Sequence, residues 1–479
     1  MFPCFTTRST LPLLQRGTLA PTCIGGPAAR ACQLPSIQGG WTRRRLLAAS
    51  TVTMGLLSMP GCRSPRELST RGGRDLTGTI RIFGWAQEPI FSVRQRAFDG
   101  FRARHPKLQV VLETTGAAGQ PYFDKLQVLI ASDQAPDMFI LPDSDLPGFI
   151  QRGLVRDLAP LVARDRYDLS DFPKSVLCAY RHEGRLYGLP DNISSIGFFV
   201  NVDLFQKAGM PVPPVQPGDP SWTFEGFLDT MRRFAGRLAG ASPIFGVAPA
   251  YELNGVLAWV RSNGGDLLTR EGNATALHEP AAVEALQFLA DLRHTYRVAP
   301  TPQELAGTST IQLFEQGRLG IWEGCVCQIV RFRQNVTFSW DAAFRPAGKA
   351  GLVDHLYAYP QVLYAQTKNL DAAWEALKWF EDEGMVVLVR EGALQGTKMN
   401  AHQRKYFLDP SKPPPHAEVW VLSVERFGRM PPATTNWREV ADQLAKELLP
   451  LWNGQRSARE TALAIRQAVD PLVAVGRWR

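Results

Sequence analysis

The chain has 479 residues, and its 53 Lys and Arg against 45 Asp and Glu give a formal net charge of +8 at pH 7. Six of the arginines and none of the acids fall within residues 1–61, so the remaining 418 residues carry a net charge of only +2. That balance, without a basic tract or an interleaved aromatic stripe, argues against nucleic-acid binding, and the length suggests two or three domains.

The stretch GGWTRRRLLAASTVTMGLLSMPGCRSP, which begins at residue 39, has the pattern of an export leader. Three arginines, Arg43 to Arg45, precede an uncharged run from Leu46 to Met59. This run is shorter than the about 20 residues that a membrane-spanning helix needs, but it suits the apolar region of a signal peptide. A buried core helix is the alternative, although Met59-Pro60-Gly61 would break it.

The paired arginines resemble a twin-arginine export signal, and the small residue before Cys62 resembles a bacterial lipoprotein cleavage site. We therefore expect a cleaved leader over residues 1–61 and lipidation of Cys62, so that the protein would be periplasmic or displayed at the cell surface. Residues 62–78 are polar and rich in Arg, Gly and Ser, and we expect them to form a flexible tether.

Strand and helix patterns alternate after the tether. The strands GTIRIFGW, LQVVLET and PDMFIL are separated by the helical segments EPIFSVRQRAFDGFRARHP and PYFDKLQVLIAS. In the first helical segment, Phe91, Phe98 and Phe101 recur seven and three residues apart, which places them on one helix face. A short helix, DLPGFIQRGLV, follows. This order predicts a parallel sheet covered on both faces.

In such a sheet, ligands bind where strands end and helices begin. Trp85 and Gln87 follow the first strand, and Asp143 to Asp145 follow the third. Helix capping is the alternative role for the acids, and core packing is the alternative for Trp85.

The stretch HEGRLYGLPDNISSIGFFVNVDLFQKAGM, residues 182–210, together with the following PSWTFEGFLDTMRRF, resembles family 1 of the extracellular solute-binding proteins, which deliver sugars to ATP-binding-cassette importers. The residues that match the family pattern are Gly184, Tyr187, Gly188, Leu189 and Pro190, then Asn201, Asp203, Leu204, Phe205, Ala208 and Gly209, then Ser221, Trp222 and Phe227. LAWVRSNGGDLL, FEQGRLGIWEG and a closing helix pair continue the resemblance to the C-terminus. Tyr359 stands where the family often keeps glycine, and Gly320-Ile321 where it usually has Ala-Met, which suggests a remodelled pocket.

The resemblance implies the α/β, two-lobed periplasmic-binding-protein fold with the ligand cleft between the lobes. The expected division is residues 79–190 plus about 320–370 for lobe one, and about 200–315 plus 371–479 for lobe two. Crossings between lobes are expected near Asp191 to Val200, near Leu313 to Ile321 and near Asn369 to Trp374. The closing helices carry the capping signatures Asn436 with Glu439 and Ser457 with Glu460.

A sugar site needs flat apolar faces for ring C–H groups, and amides or carboxylates that pair with vicinal hydroxyls. The candidate ligand-binding residues, chosen at strand ends and hinge turns, are Trp85, Gln87, Asp143, Asp191, Asn192, Trp259, Trp322, Glu323, Tyr357 and Tyr359. A core position on a helix face is the alternative for Trp259, and hinge packing is the alternative for the two tyrosines.

After the leader, three cysteines remain besides Cys62: Cys178, Cys325 and Cys327. A Cys-x-Cys pair on a strand has poor disulfide geometry, so all three are expected to be small buried residues, with a bridge from Cys178 as the minor alternative. The seven histidines are scattered singly, and no cofactor or metal is expected.

The resemblance implies a monomeric substrate-binding protein of an ABC importer that captures a sugar or related polyol by lobe closure. Its partners would be that solute and the importer's membrane subunits, and it would meet the membrane through the lipid anchor alone. A phosphorylated polyol would be favoured if Arg429 or Arg331 faced the cleft. The rival classes are an exported carbohydrate-active enzyme and a sensor or scaffold of the same fold. No enzyme motif supports the first.

Overall fold

The computed structural model describes residues 75–116, 120–238, 243–392 and 394–478. The predicted leader and Cys62 lie outside the described residues. A nine-stranded sheet runs through the molecule and separates two hydrophobic cores.

The first part of the chain alternates strands and helices, as predicted. Its elements are β1 (Gly78–Gly84), α1 (Ile90–Ala97), α2 (Asp99–Arg104), β2 (Leu108–Thr114), α3 (Gln120–Ala131) and β3 (Met138–Ile140). Strand β1 pairs in parallel with both β2 and β3, which confirms the predicted parallel sheet. The first predicted helix is divided at Phe98, but Phe98 and Phe101 are both buried in the first core.

A short connecting region leads to the longest strand of the sheet. It comprises a 3-10 turn (Asp143–Asp145), α4 (Leu146–Gln151), α5 (Ala159–Asp165), α6 (Lys174–Ala179), β4 (Arg181–His182) and β5 (Arg185–Leu186). Strand β6 (Leu189–Asn201) follows, and all 13 of its residues are buried. Such a continuous buried run is typical of a strand covered on both faces.

The middle of the chain surrounds the other end of β6. Its elements are α7 (Val202–Lys207), α8 (Phe224–Arg237), β7 (Phe245–Ala248), α9 (Leu253–Ser262), α10 (Pro280–His294), α11 (Pro302–Leu305), α12 (Thr310–Glu315), β8 (Leu319–Cys325), α13 (Ile329–Asn335), β9 (Trp340–Ala343) and β10 (Asp354–Leu363). Cys325 ends β8, and Cys327 lies in the following 3-10 turn (Val326–Gln328). The expectation that both cysteines lie on one strand is therefore wrong.

The C-terminal part is helical. It contains α14 (Leu370–Trp379), α15 (Met385–Arg390), α16 (Ala401–Phe407), α17 (Glu418–Leu422), the short β11 (Gly428–Arg429), α18 (Trp437–Trp452) and α19 (Ala458–Val475). Among the described helices, none is long and apolar enough to cross a membrane.

The strand order of the sheet is β2-β1-β3-β10-β6-β8-β7, with β11 beside β10 and β9 beside β6. Strand β10 is antiparallel to both β3 and β6, so it joins the parallel part of the sheet to the rest. Strand β6 contributes Leu189 and Ile193 to the first core and Phe198 and Val200 to the second. The two cores therefore share one sheet.

Most of the second core comes from residues between 198 and 299 and from α18 and α19, with Ile321 of β8 and Ala343 of β9. The predicted lobe two comprised about residues 200–315 and 371–479, and some residues of both ranges pack into the first core, among them Phe245 and Phe314 of the first range. Of the second range, Trp374, Phe380 and Trp420 pack into the first core, because α14 contacts β10 and α17 contacts β6. The remaining lobe boundaries stay a prediction.

The two predicted capping signatures have different outcomes. Ser457 and Glu460 form a reciprocal capping box at the start of α19, as predicted. Asn436 is the N-cap residue of α18 and its Nδ2 contacts Glu439 Oε2 at 3.5 Å, as predicted, but its side chain makes no cap hydrogen bond, and Nδ2 donates at 3.0 Å to the Leu472 carbonyl. The packing of the two helices against each other decides this side chain's partner.

Gly197 provides a test of the fold where α17 packs on β6. A Cβ atom at this position would lie 2.6 Å from Trp420 Nε1, whereas a Cβ atom at the exposed helical Gly236 would meet no atom within 4 Å. We expect Gly197→Ala to lower the free energy of unfolding by about 1–3 kcal/mol through overpacking. Gly236→Ala is the matched control and should raise it by up to about 1 kcal/mol. Urea denaturation of both variants measures the difference, and equal effects would contradict the packing.

Candidate functional site

Three half-buried aromatic rings lie together, one just after the end of β1 and two on β10, which is separated from β1 by β3. The Trp85 ring is edge-on to Tyr359, with ring centroids 5.3 Å apart, and Tyr359 lies 6.0 Å from Tyr357. Trp85 also packs edge-on against the buried Tyr122 at 4.9 Å, which fixes its position. The three rings therefore offer apolar surface, and the Trp85 ring is held in place by Tyr122. We call Trp85, Tyr357 and Tyr359 the aromatic cluster.

The register of β10 against β6 places polar groups beside the tyrosines. Tyr359 is opposite Asn192, and Tyr357 is opposite Ser194. Residues that are directly opposite in an antiparallel pair point to the same face of the sheet. Asn192 is buried, and its Oδ1 has no hydrogen-bond partner among the described residues. An amide oxygen is thus available beside the aromatic cluster.

Asp143 joins this group from the 3-10 turn after β3. Its Oδ2 accepts a hydrogen bond from the Ala358 backbone N–H at 3.2 Å, and its Oδ1 accepts one from Ser144 N–H at 2.8 Å. Burial raises the pKa of the Asp143 carboxyl group to about 7, because these two hydrogen bonds offset only part of the desolvation. No side-chain cap hydrogen bond forms at this turn or at α4, so the capping alternative does not account for Asp143.

Glu252, which opens a helix of the second core, lies beside the aromatic cluster. It precedes α9, and its Oε1 accepts a hydrogen bond from the Tyr357 hydroxyl at 3.4 Å. The side chain reaches solvent, yet the surrounding protein displaces enough water to raise the pKa of its carboxyl group to about 7. Sequence reasoning missed Glu252. The signal was available, because Glu252 stands shortly after β7 ends and opens a helix.

Asp191 is brought to this region but is already paired. Arg94 of α1 forms a two-pronged ion pair with it, and one of the two contacts joins Nη2 to Oδ2 at 2.9 Å. Both side chains are buried. The ion pair links α1 to β6, and Asp191 neutralises the positive charge of Arg94.

Trp259 and Glu323, two of the predicted ligand contacts, are enclosed in the protein instead. Trp259 is fully buried in the second core, and its Nε1 donates to Glu323 Oε2 at 3.0 Å. Glu323 also accepts from Arg345 Nε at 2.6 Å and from the Ala250 N–H at 2.9 Å. Because solvent does not reach them, these two residues support the site rather than line it.

Arg345 is the cation of this buried network. It contacts Asp354 at 3.1 Å as well as Glu323, and all three side chains are almost completely buried. Burial raises the pKa of both carboxyl groups, and Arg345 opposes that shift. We call Glu323, Arg345 and Asp354 the buried triad.

The remaining two predicted residues lie apart from the aromatic cluster. Trp322 is half-buried and packs against Phe199 and Phe332, and its Nε1 donates to Thr310 Oγ1 at 3.1 Å. Gln87 is exposed in the turn after β1. Trp85, Asp143, Asn192, Tyr357 and Tyr359 are therefore the predicted residues that the fold groups with Glu252.

Gln361 is a second residue that sequence reasoning missed. It is fully buried, and neither its amide nitrogen nor its amide oxygen has a hydrogen-bond partner within the described part of the chain. It borders a cavity of about 10 Å³ that Trp85 and Arg94 also line. A volume of that size holds about one water molecule, which would satisfy the amide.

A second hollow, on the surface of the described part of the chain, lies away from this site. This shallow hollow of about 600 Å³ lies on α19 beside Asn273, and none of the predicted residues lines it. Across residues 75–116, 120–238, 243–392 and 394–478, no group of three or more His, Cys, Asp or Glu could hold a metal ion.

The chain is similar in sequence to known solute-binding and sugar-binding proteins. The family model described as bacterial extracellular solute-binding protein matches residues 85–386. A relative from Brucella abortus, named only as a binding protein, is 23% identical over 386 residues, covering 79% of this chain and 88% of its own. The arabinooligosaccharide-binding protein of Bacillus subtilis is 22% identical over 264 residues, covering 54% of this chain and 57% of its own.

A solved structure shows the same fold. An ABC substrate-binding protein of Listeria monocytogenes, in complex with cycloalternan, superimposes with a TM-score of 0.75 at 22% identity. The superposition covers 83% of this chain and 99% of that one. The predicted two-lobed periplasmic-binding-protein fold is thus confirmed.

The buried triad predicts a large effect of charge removal. Arg345→Met would leave Glu323 and Asp354 buried without their cation, and we expect the free energy of unfolding to fall by about 3–5 kcal/mol. The matched control is Arg331→Met. The Arg331 side chain is partly exposed, so its ion pair with Glu315 should contribute about 1 kcal/mol or less to the free energy of unfolding. Thermal and urea unfolding of both variants provide the measurement. Similar losses in the two would contradict a special role for the buried triad.

The carboxyl groups of Asp143 and Glu252 predict a pH dependence. Both have a folded pKa of about 7, above the ordinary values of 3.8 and 4.5. The folded chain therefore binds more protons than the unfolded chain between those values, and this contribution to stability is lost as the pH rises toward about 7. We expect the double variant Asp143→Asn, Glu252→Gln to show a weaker dependence of the melting temperature on pH than the unsubstituted protein, both without ligand, between about pH 5 and 8.

The control for this pH series is Glu284→Gln. Glu284 is exposed, and hydrogen bonds from Lys349 and then Asn263 lower the pKa of its carboxyl group, so its removal should not flatten the same profile. An unchanged slope in the double variant would show that Asp143 and Glu252 do not have raised pKa values.

Proposed function

The chain belongs to the family of bacterial extracellular solute-binding proteins, and from that premise we propose that it captures an uncharged, polyhydroxylated solute, a mono- or oligosaccharide, at the aromatic cluster. The observation that carries the proposal is the grouping of three half-buried rings with carboxyl and amide oxygens. Sugar rings gain from placing their C–H faces on aromatic surface, and their hydroxyls need acceptors once they leave water.

Binding in this site would involve closure of the two lobes. Trp85 and Asp143 extend from strands of the first core, whereas Glu252 opens a helix of the second core. A ligand held by both sides has a higher affinity for the closed arrangement and therefore selects it. The closed lobes would then form the surface on which the membrane subunits of an ABC importer dock, and the ligand would be released unchanged.

The charges around the aromatic cluster favour a neutral solute over an anion. Arg94 is paired with Asp191, and Arg331 is paired with Glu315 through two contacts at 2.6 and 2.9 Å. Arg429 is exposed on β11, opposite His355. Of the two arginines considered for a phosphorylated polyol, Arg429 is thus the one to test.

Export through the leader and lipidation of Cys62 complete the proposal, since a binding protein must remain near its importer. A single acyl chain holds a protein only marginally at a membrane, so stable anchoring would require the diacyl modification typical of bacterial lipoproteins. The sequence features that support it are Arg43 to Arg45, the apolar run to Met59 and Gly61 before Cys62.

A ligand screen tests the binding proposal. We expect maltotriose, an arabinooligosaccharide or another neutral saccharide to raise the melting temperature, because a ligand at 100 times its dissociation constant stabilises the folded state by about 2.7 kcal/mol. Trp85→Ala and Tyr359→Ala should abolish that shift. Turnover of the saccharide during the assay would assign the protein to the enzyme class instead.

A pair of hydroxyl deletions provides the control. Tyr357→Phe removes the hydroxyl beside Glu252 and should weaken binding, whereas Tyr167→Phe removes a comparable hydroxyl that contacts Asp382 at 3.0 Å and should leave binding unchanged. A shift produced by glycerol phosphate and lost in Arg429→Gln would indicate an anionic ligand.

Membrane fractionation tests the anchoring proposal. Cys62→Ser should deplete the processed protein from the membrane fraction, because the acceptor of the lipid is removed. Replacement of Arg43 and Arg44 by Lys should block export through the twin-arginine route. Unchanged membrane association and processing of Cys62→Ser would contradict lipidation.

A further inference from the structure

Cys325 and Cys327 are not isolated buried residues but a contacting pair at the edge of the candidate site. Cys325 ends β8 and Cys327 lies in the 3-10 turn that follows, so the chain bends between them. Cys325 Sγ accepts the Cys327 backbone N–H at 3.2 Å, and the two side chains are close enough to hydrogen-bond to each other. On an extended strand, residues two apart would be separated by about 6.6 Å. The turn therefore brings together two thiols that the sequence pattern alone keeps apart.

The surroundings of the pair differ between the two sulfur atoms. Ser194 Oγ lies 3.6 Å from Cys325 Sγ and can donate to a thiolate there, while Gln328 Nε2 donates to Cys327 Sγ at 3.6 Å. Hydrogen bonds, first from the Cys327 thiol and then from its backbone N–H and from Ser194, lower the pKa of Cys325 despite its burial. The hydrogen bond to Cys325 raises the pKa of Cys327 well above its usual range. The contacts from the Cys327 N–H and the Ser194 hydroxyl thus make Cys325 the sulfur at which a thiolate is the better stabilised.

Both cysteine residues are half-buried rather than fully enclosed. Ser194 stands opposite Tyr357 in the β6–β10 register, so the pair lies beside the aromatic cluster. A thiol that is reached by solvent and that forms a thiolate readily is the reactive kind.

We propose that Cys325 and Cys327 form a reactive dithiol site that a peroxide converts to an intramolecular disulfide. The Cys325 thiolate attacks one peroxide oxygen, the O–O bond breaks, and the second oxygen leaves as hydroxide and takes up a proton to become water. The resulting Cys325 sulfenic acid is attacked by Cys327 sulfur, which loses its proton as the S–O bond breaks and a second water leaves. Two thiols lose two electrons in total, and the peroxide accepts them. This inference does not depend on which solute the protein binds.

Peptide mapping of the full-length protein tests the proposal directly. Trypsin leaves both cysteines in one peptide, Leu319–Arg331, and leaves Cys178 in another, Ser175–Arg181. After brief treatment with hydrogen peroxide and alkylation by N-ethylmaleimide, we expect Leu319–Arg331 to be unalkylated and lighter by two hydrogen atoms. This form should appear about tenfold faster than Cys178 loses its ability to be alkylated. Reduction should restore both alkylation sites. Equal loss rates, or sulfinic acid in place of the disulfide, would overturn the proposal.

Single substitutions separate the roles of the two residues. In Cys327→Ser, Cys325 should still form a sulfenic acid, which dimedone traps. In Cys325→Ser, the remaining Cys327 should react more slowly, because the Cys327 backbone N–H and the Ser194 hydroxyl make their contacts at the sulfur of residue 325. Trapping at Cys327 rather than at Cys325 would contradict the assigned order of attack.

A probe of the unsubstituted protein removes any dependence on how the variants fold. Phenylarsine oxide binds two thiols at once, so it should attach once to Leu319–Arg331 and protect both cysteines from N-ethylmaleimide. Failure of the arsenical to protect this peptide in the folded chain would show that the two sulfur atoms do not lie within bridging distance. Protection should be absent once the chain is treated with an excess of a competing dithiol.

Discussion

The antiparallel pairing of β6 with β10 is the constraint on which the rest of this structure depends. Six register pairs, from Leu356 opposite Ser195 to Gln361 opposite Leu189, join the two strands in the middle of the sheet. Beyond that overlap, β6 continues into the second core and β10 continues against β3 of the first. Because a one-residue slip would turn every side chain to the other face, this pairing decides which groups reach the candidate site.

The distribution of buried charge separates support from recognition. Asp191 is paired with Arg94, Asp145 with Arg438, and the carboxyl groups of Glu323 and Asp354 with Arg345. Asp143 and Glu252 accept hydrogen bonds from neutral donors instead, and their pKa values are raised to about 7. Perturbed carboxyl groups without a protein cation cost stability, and such groups are concentrated at functional sites. Their hydrogen-bonding capacity remains for a ligand.

The same tertiary contacts bring the thiol pair close to the site. Cys325 is the last residue of β8 and stands opposite Ile196 of β6, and its sulfur contacts Ser194 of that neighbouring strand. Ser194 in turn stands opposite Tyr357. Chemical modification of Cys325 would therefore take place one residue pair away from the aromatic cluster, and the binding site and the dithiol site share β6 as their common support.

The sequence by itself determined the local elements, the family and some members of the candidate site. Alternating strand and helix patterns located β1 to β3, the Ser457 capping box was correct, and strand-end positions identified Trp85 and Asp143, because these signals depend on residues near each other in the chain. Only the tertiary structure decided that Trp259 and Glu323 are buried around Arg345, that α14 to α17 join the first core, and that Glu252 reaches Tyr357. Each of these outcomes depends on contacts between segments that lie far apart in the chain, and a local pattern carries no information about which partner a side chain meets.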